Sequence, residues 1–152
     1  MRSQITDQRG FTLIELLTVV SLIGILAILA MSSLNSYRHK AAYTVSVRSL
    51  RDAQTSHEAA LNVPDAIYAV TGLIVQNTPG PITNASAAQV LPAFQLPKNV
   101  EIQFSYDPTC NTAACVSSYI RIDHCLGTEH VEWTRFGDGL ESLAENVIGS
   151  AC

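Results

Sequence analysis

The sequence predicts an α+β chain with one long N-terminal helix packed on a C-terminal antiparallel sheet of three or more strands. Residues 11–31 are an apolar run holding a single charge, Glu15, and no proline falls between residues 11 and 63. Beyond residue 97 the apolar residues switch from helical spacing to strict alternation. At 152 residues the chain has room for one ordinary domain and one extended element, which argues against a multidomain enzyme.

The helix comes first in the chain. As a helix, the run FTLIELLTVVSLIGILAILAM would be roughly 32 Å long, enough to cross a bilayer core. A hydrophobic content of 47% against 14% charged residues fits a segment inserted in a membrane or buried by partners. The apolar residues then thin into helical spacing. Tyr43, Val47, Leu50 and Leu61 fall on one stripe with Ala42, Ala53 and Ala60 beside it, while Arg48, Arg51, Asp52 and Glu58 lie largely elsewhere. Pro64 is the first plausible stop, so the helix is expected to run for about 50 residues, or roughly 75 Å.

Residues 64–97 change character, with Pro64, Pro79, Pro81, Pro92, Pro97, Gly72 and Gly80. They read as an irregular connection with one short strand near 73–75 and a short helix near 87–91. The first alternating strand follows, Val100, Ile102, Phe104 and Tyr106 pointing inward and Glu101, Gln103 and Ser105 outward. Two more are expected at 118–125, with Ile120 and Ile122 inward, and at 130–136, with Val131 and Trp133 inward. The short turns between them make a three-stranded antiparallel meander the economical topology. The tail, 138–152, is too short to fold alone and is expected to pack on the sheet.

The four cysteines, Cys110, Cys115, Cys125 and Cys152, all lie in the last third, as in a disulfide-stapled region of an oxidising compartment. Three pairings are possible. Cys110 and Cys115 flank a four-residue hairpin loop, so that bridge is expected together with Cys125–Cys152, which would fix the tail and stabilise by about 3 kcal/mol in the chain-entropy account. Charge alone leaves the orientation open, because Arg2 and Arg9 precede the apolar run and Arg38 and Lys40 follow it. The cysteines place the C-terminal part outside the cytoplasm. No small-residue cleavage site follows the apolar run, so processing is expected ahead of it. A net charge of -4 gives no general basic footprint for duplex nucleic acid, without excluding a local basic patch.

Gly10-Phe11-Thr12-Leu13-Ile14-Glu15-Leu16, after a short charged leader and before an apolar helix, resembles the signature of type IV pilins and pseudopilins. Gly24 and Tyr37-Arg38 resemble further features of that family's helix. The resemblance is specific over residues 9–40 and architectural beyond them. It implies a pilin fold and cleavage by a membrane prepilin peptidase between Gly10 and Phe11, with N-methylation of Phe11. The expected division is then a leader at 1–10, the helix at 11–63 with 11–31 spanning the membrane, and a globular domain at 64–152. Glycine at the cut gives a peptidase close access to the backbone. Glu15 becomes the fifth mature residue. A carboxylate within a bilayer calls for a functional partner, and the family points to the α-amine of Phe11 on a neighbouring subunit. Many members carry proline where this chain has Ser32, and Ser32-Ser33 is a weaker helix breaker.

Other chemistry is thin. His39, His57, His124 and His130 have no metal-ligand spacing, Asn84-Ala85-Ser86 matches a glycosylation sequon, and Asp138-Gly139-Leu140-Glu141 reads as a polar turn. The resemblance therefore implies a non-enzymatic subunit without a cofactor, a major or major-like pilin of a type IV pilus. Its partners would be copies of itself, the prepilin peptidase, the inner-membrane assembly machinery and, before assembly, the inner membrane. Its destination would be an extracellular filament, with adhesion, motility or DNA uptake as outputs of that filament. The alternative is a pseudopilin of a type II secretion system. Major pseudopilins resemble a cysteine-free domain with a calcium loop, so the four cysteines favour the pilin.

Overall fold

The computed structural model describes residues 10–62, 72–84 and 88–149, in two compact units, Met1–Tyr37 and Arg38–Cys152. Residues 1–9, Pro64, Ala85 and Ser86 of the sequon, Ala87 and Cys152 lie outside the described residues, as does the side chain of Ser32.

Helix α1 (Leu13–Leu61) is continuous for 49 residues. Its first stretch, in the N-terminal unit, holds Leu, Ile, Val and Ala with no proline, and its hydroxyls turn inward. Thr18 Oγ1 donates to the Glu15 carbonyl (3.0 Å) and Ser21 Oγ to the Leu17 carbonyl (2.8 Å). Those polar groups are satisfied within the helix, as an apolar surrounding requires.

In the second unit α1 turns a stripe of small residues toward the sheet. Ala42, Ser46, Ser49, Leu50, Ala53, Ser56, His57 and Ala60 are all buried, at spacings that fall on one helical face. Leu61, expected on the same stripe, is exposed. It is the last residue of α1 and borders an open groove beside Tyr106, Asp107 and Pro108 instead of entering the core.

Seven strands follow: β1 (Ile74–Gln76), β2 (Gly80–Pro81), β3 (Gln95–Leu96), β4 (Val100–Tyr106), β5 (Val116–His124), β6 (Glu129–Phe136) and β7 (Glu141–Ile148). Five of them make one antiparallel sheet in the order β1-β4-β5-β6-β7, and β2 and β3 pair separately. The register brings inward residues level across strands: Ile102 faces Ile122 and Ile122 faces Val131, while Phe104 faces Ile120 and Ile120 faces Trp133. These rows close the core against Leu50 and Ala53 of α1, with Ile82, Val90, Leu91, Phe94 and Leu96 from the connection. The two-layer arrangement, a helix on one face of an antiparallel sheet, is the α+β fold the sequence predicts.

The connection and the tail differ from expectation. The short strand near 73–75 is β1, at 74–76 on the sheet edge. The short helix near 87–91 is absent from residues 88–91. There Thr83 and Gln89 form an antiparallel bridge, and the Val90 amide donates to the Ile82 carbonyl at 2.8 Å. With Pro92 next, a helix could complete no more than one turn, and at the bend that follows the bridge both Val90 and Leu91 enter the core. The tail is a full strand: β7 pairs with β6 along its length and extends the meander to four consecutive strands.

The outward face of the sheet is not simply solvated. Glu101, Asp123 and His130 are buried there. Arg121 donates to both Asp123 oxygens (2.8 and 3.2 Å), and Tyr119 Oη donates to Glu132 at 3.1 Å. His130 Nε2 lies 3.0 Å from Glu132 Oε1, and Nδ1 lies 2.9 Å from the Gly149 carbonyl. Buried polar groups need such partners, and here they fasten the end of β7 to the middle of the sheet.

Candidate functional site

The expected site lies at the start of α1. Gly10 precedes the helix in an irregular segment, and no described atom comes within 4 Å of where a Cβ on it would sit. Phe11 is 88% exposed.

Thr12 and Glu15 are joined reciprocally. The Thr12 amide and hydroxyl both donate to Glu15 Oε2 (3.1 and 3.0 Å), and the Glu15 amide donates to Thr12 Oγ1 (3.3 Å). This is a capping box, in which the N-cap threonine and the glutamate three residues on satisfy amides the helix cannot. Thr12 is a residue the functional reading of the sequence missed, although the spacing Thr12-Leu13-Ile14-Glu15 is itself the signal. The structure thus brings Glu15 to Thr12 of its own chain.

From Leu13 to Leu34 every described side chain is exposed, including Leu13 (79%), Leu22 (63%), Ile28 (72%) and Met31 (68%). A soluble monomer rarely leaves so large an apolar surface open. Among the described residues α1 is the one helix long and apolar enough to cross a membrane, with a window of mean hydropathy 2.6. Gly24 sits mid-helix with open space around its Cβ position. Such a residue weakens a helix by about 1 kcal/mol relative to alanine and permits close approach of a second helix.

The remaining expected residues are in the domain. Cys110 and Cys115 are bridged, with Cα atoms 5.9 Å apart. Cys125 is also disulfide-bonded, and its expected partner, Cys152, lies outside the described residues. The 110–115 loop rests on the turn between β6 and β7. The Gly137 amide donates to the Cys115 carbonyl at 3.2 Å. A Cβ on Gly137 would fall 2.5 Å from the Thr112 nitrogen and 2.8 Å from that of Asn111.

Among the histidines, His57, His124 and His130 are buried and His39 is exposed on α1. His57, missed as a core residue, is fully buried on α1 with Nε2 2.8 Å from Ser118 Oγ. Its ring meets Phe104, Tyr106 and Trp133 edge-on at 5.3–6.0 Å. Burial, reinforced by the nearby Arg135 charge, pushes its pKa down to about 4, so the ring is neutral at physiological pH. Next to it, Arg135 on β6 pairs with Glu58 on α1. Asp138 receives the Leu140 amide at 3.0 Å, a local turn contact.

Residues 5–31 match the family described as the prokaryotic N-terminal methylation motif. This is the class III signal sequence characteristic of type IV pilins and pseudopilins, and with it the chain reads as a pilin-like or pseudopilin precursor. The match covers the capping box, Gly24 and most of the open apolar surface. No curated protein matches the chain.

Proposed function

We propose that the chain is a structural, non-enzymatic subunit of a type IV pilus, cleaved between Gly10 and Phe11, methylated on Phe11 and polymerised through the first half of α1. One observation carries the reading: the segment that matches the methylation motif is also the segment whose apolar side chains, from Leu13 to Met31, are exposed among the described residues. A bilayer covers that surface before assembly, and the corresponding helices of neighbouring subunits cover it in the filament. Glu15, on the N-terminal turn of that surface, would meet the Phe11 amine of the next subunit, since a carboxylate in so apolar a setting requires a cation.

A pseudopilin of a type II secretion system is the second reading. The two cystine-bonded residues Cys110 and Cys115, and the bonded Cys125, favour the pilus. Sheared surface filaments, examined by microscopy and mass spectrometry, test the choice. The pilus reading expects this chain, beginning at methylated Phe11, as their bulk component. Its absence from surface filaments, together with a secretion defect on deletion, would move the chain to the pseudopilins.

A further inference from the structure

Charge is segregated within the second unit. Between residues 38 and 51, α1 carries Arg38, Lys40, Arg48 and Arg51 with no carboxylate, whereas β6, β7 and their turn carry Glu129, Glu132, Asp138, Glu141 and Glu145 against Arg135 alone. The four cations are all exposed; Lys40, Arg48 and Arg51 lie on the side of α1 turned away from its buried stripe, and Arg38 lies at the stripe's flank, one turn before Ala42. Arg48 has one ion-pair partner among the described residues, Asp52 at 3.9 Å on the same helix. Asp138, Glu141 and Glu145 are exposed at the other end of the strand order, where β7 pairs with β6 on one edge only.

The two surfaces also match in pattern. On α1, Arg38, Val45 and Arg48 fall on one stripe, with Val45 36% exposed between the two cations. On β7, Glu141, Leu143 and Glu145 point to one side, with Leu143 54% exposed between the two acids. The cations are separated by about 15 Å along the helix and the acids by about 13 Å along the strand. An apolar centre flanked by charge is the anatomy of a protein interface, and here the two halves are of opposite sign.

We propose that the occupant of each surface is a second copy of this chain: the Arg38–Val45–Arg48 stripe of one subunit docks on the Glu141–Leu143–Glu145 edge of the next. Because the two patches differ, the contact is head-to-tail, the kind that can propagate along a filament instead of closing in a two-fold pair. The inference rests on the filament reading above and adds the contact that orders the domains. Opposite fields steer the encounter and set register, and like charges set face to face exclude wrong registers.

Charge exchange in the full-length chain tests this. R38E/R48E and E141K/E145K should each lower sheared filament mass about tenfold, with precursor level and the Cys110–Cys115 bridge unchanged. The fourfold variant R38E/R48E/E141K/E145K, which exchanges the signs, should recover to within about threefold of wild type. Glu141 accepts a bond from Trp133 Nε1 and Glu145 one from Tyr43 Oη. Should the lysine variant fail to fold, E141Q/E145Q keeps both acceptors without the charge, and a defect there suppressed by neutralising Arg38 and Arg48 to Gln supports the same contact. Unchanged filament mass in either reversal overturns the proposal. So does a defect confined to R38E/R48E that charge exchange does not rescue, which would assign the cations to another anionic partner such as lipid headgroups or nucleic acid. Wild-type chain missing from filaments altogether would instead sink the filament reading.

Discussion

At the scale of single residues, two side chains carry consequences that can be measured. Glu15 is held by Thr12 in the isolated chain, yet its proposed partner is the amine of a neighbouring Phe11, so assembly would hand one carboxylate from an intrachain cap to an intersubunit pair. Attraction at a few ångströms offsets burial of the carboxylate only in the correct axial register. Glu15→Gln keeps the shape and an acceptor for Thr12. It should leave cleavage and the folded domain intact while filaments become few and mutant subunits enter wild-type filaments poorly. Normal filaments built from the Gln chain alone would show that apolar packing suffices. His57 makes the second case. Its folded pKa of about 4 lies below the usual imidazole value of 6.5, so the unfolded chain binds the proton more readily. Its contribution is complete above pH 6.5 and is lost as pH falls toward 4, by about 3 kcal/mol over that interval. Urea midpoints of the detergent-solubilised chain across this range should fall with acid, and His57→Gln should flatten that part of the slope.

At the scale of elements, the disulfide loop depends on Gly137. A methyl group there would meet backbone atoms at 2.5–2.8 Å, and backbone yields less readily than a side-chain tip. Gly137→Ala should therefore cost about 1–3 kcal/mol and hasten reduction of Cys110–Cys115 by a mild thiol, both read on the purified chain. Which elements were legible follows from what each one buries. Strands β4, β5 and β6 bury one face under α1, so Val100, Ile102, Phe104, Ile120, Ile122, Val131 and Trp133 alternate cleanly. Strand β7 is an edge: Leu143 and Ile148 are exposed, no alternation was imposed on it, and the tail read only as something packed on the sheet. The stripe of Ser46, Ser49, Ser56 and His57 was invisible for the opposite reason. Polar side chains line a helix face that is nonetheless buried, because small hydroxyls let α1 lie close and Ser118 and the Pro92 carbonyl supply partners. Gly10, Phe11 and Glu15 were readable as a motif, whereas the Thr12 contact required seeing that Glu15 closes a cap.

At the scale of the whole molecule, the core and the processing signal lie in different units. The domain's core is drawn from residues between Leu50 and Trp133, and its staples from Cys110, Cys115 and Cys125. The N-terminal unit offers an apolar surface and a processing signal. A change confined to the signal should then stop assembly without touching the fold. Gly10→Val puts a β-branched side chain at the proposed cleavage site, where a peptidase would have to reach the backbone, while no described atom lies near enough to clash with it. The precursor should accumulate uncut in the membrane, keep the Cys110–Cys115 bridge, and show the same urea midpoint and the same acid-dependent slope from His57 as wild type. Mass spectrometry of the membrane fraction reads the first outcome and denaturation of the purified chain the second. A mature chain starting anywhere but Phe11 would refute the processing site. An uncut variant with a shifted midpoint would refute the independence of the two units, and the folding of the domain would then have to be traced back into the first helical turns.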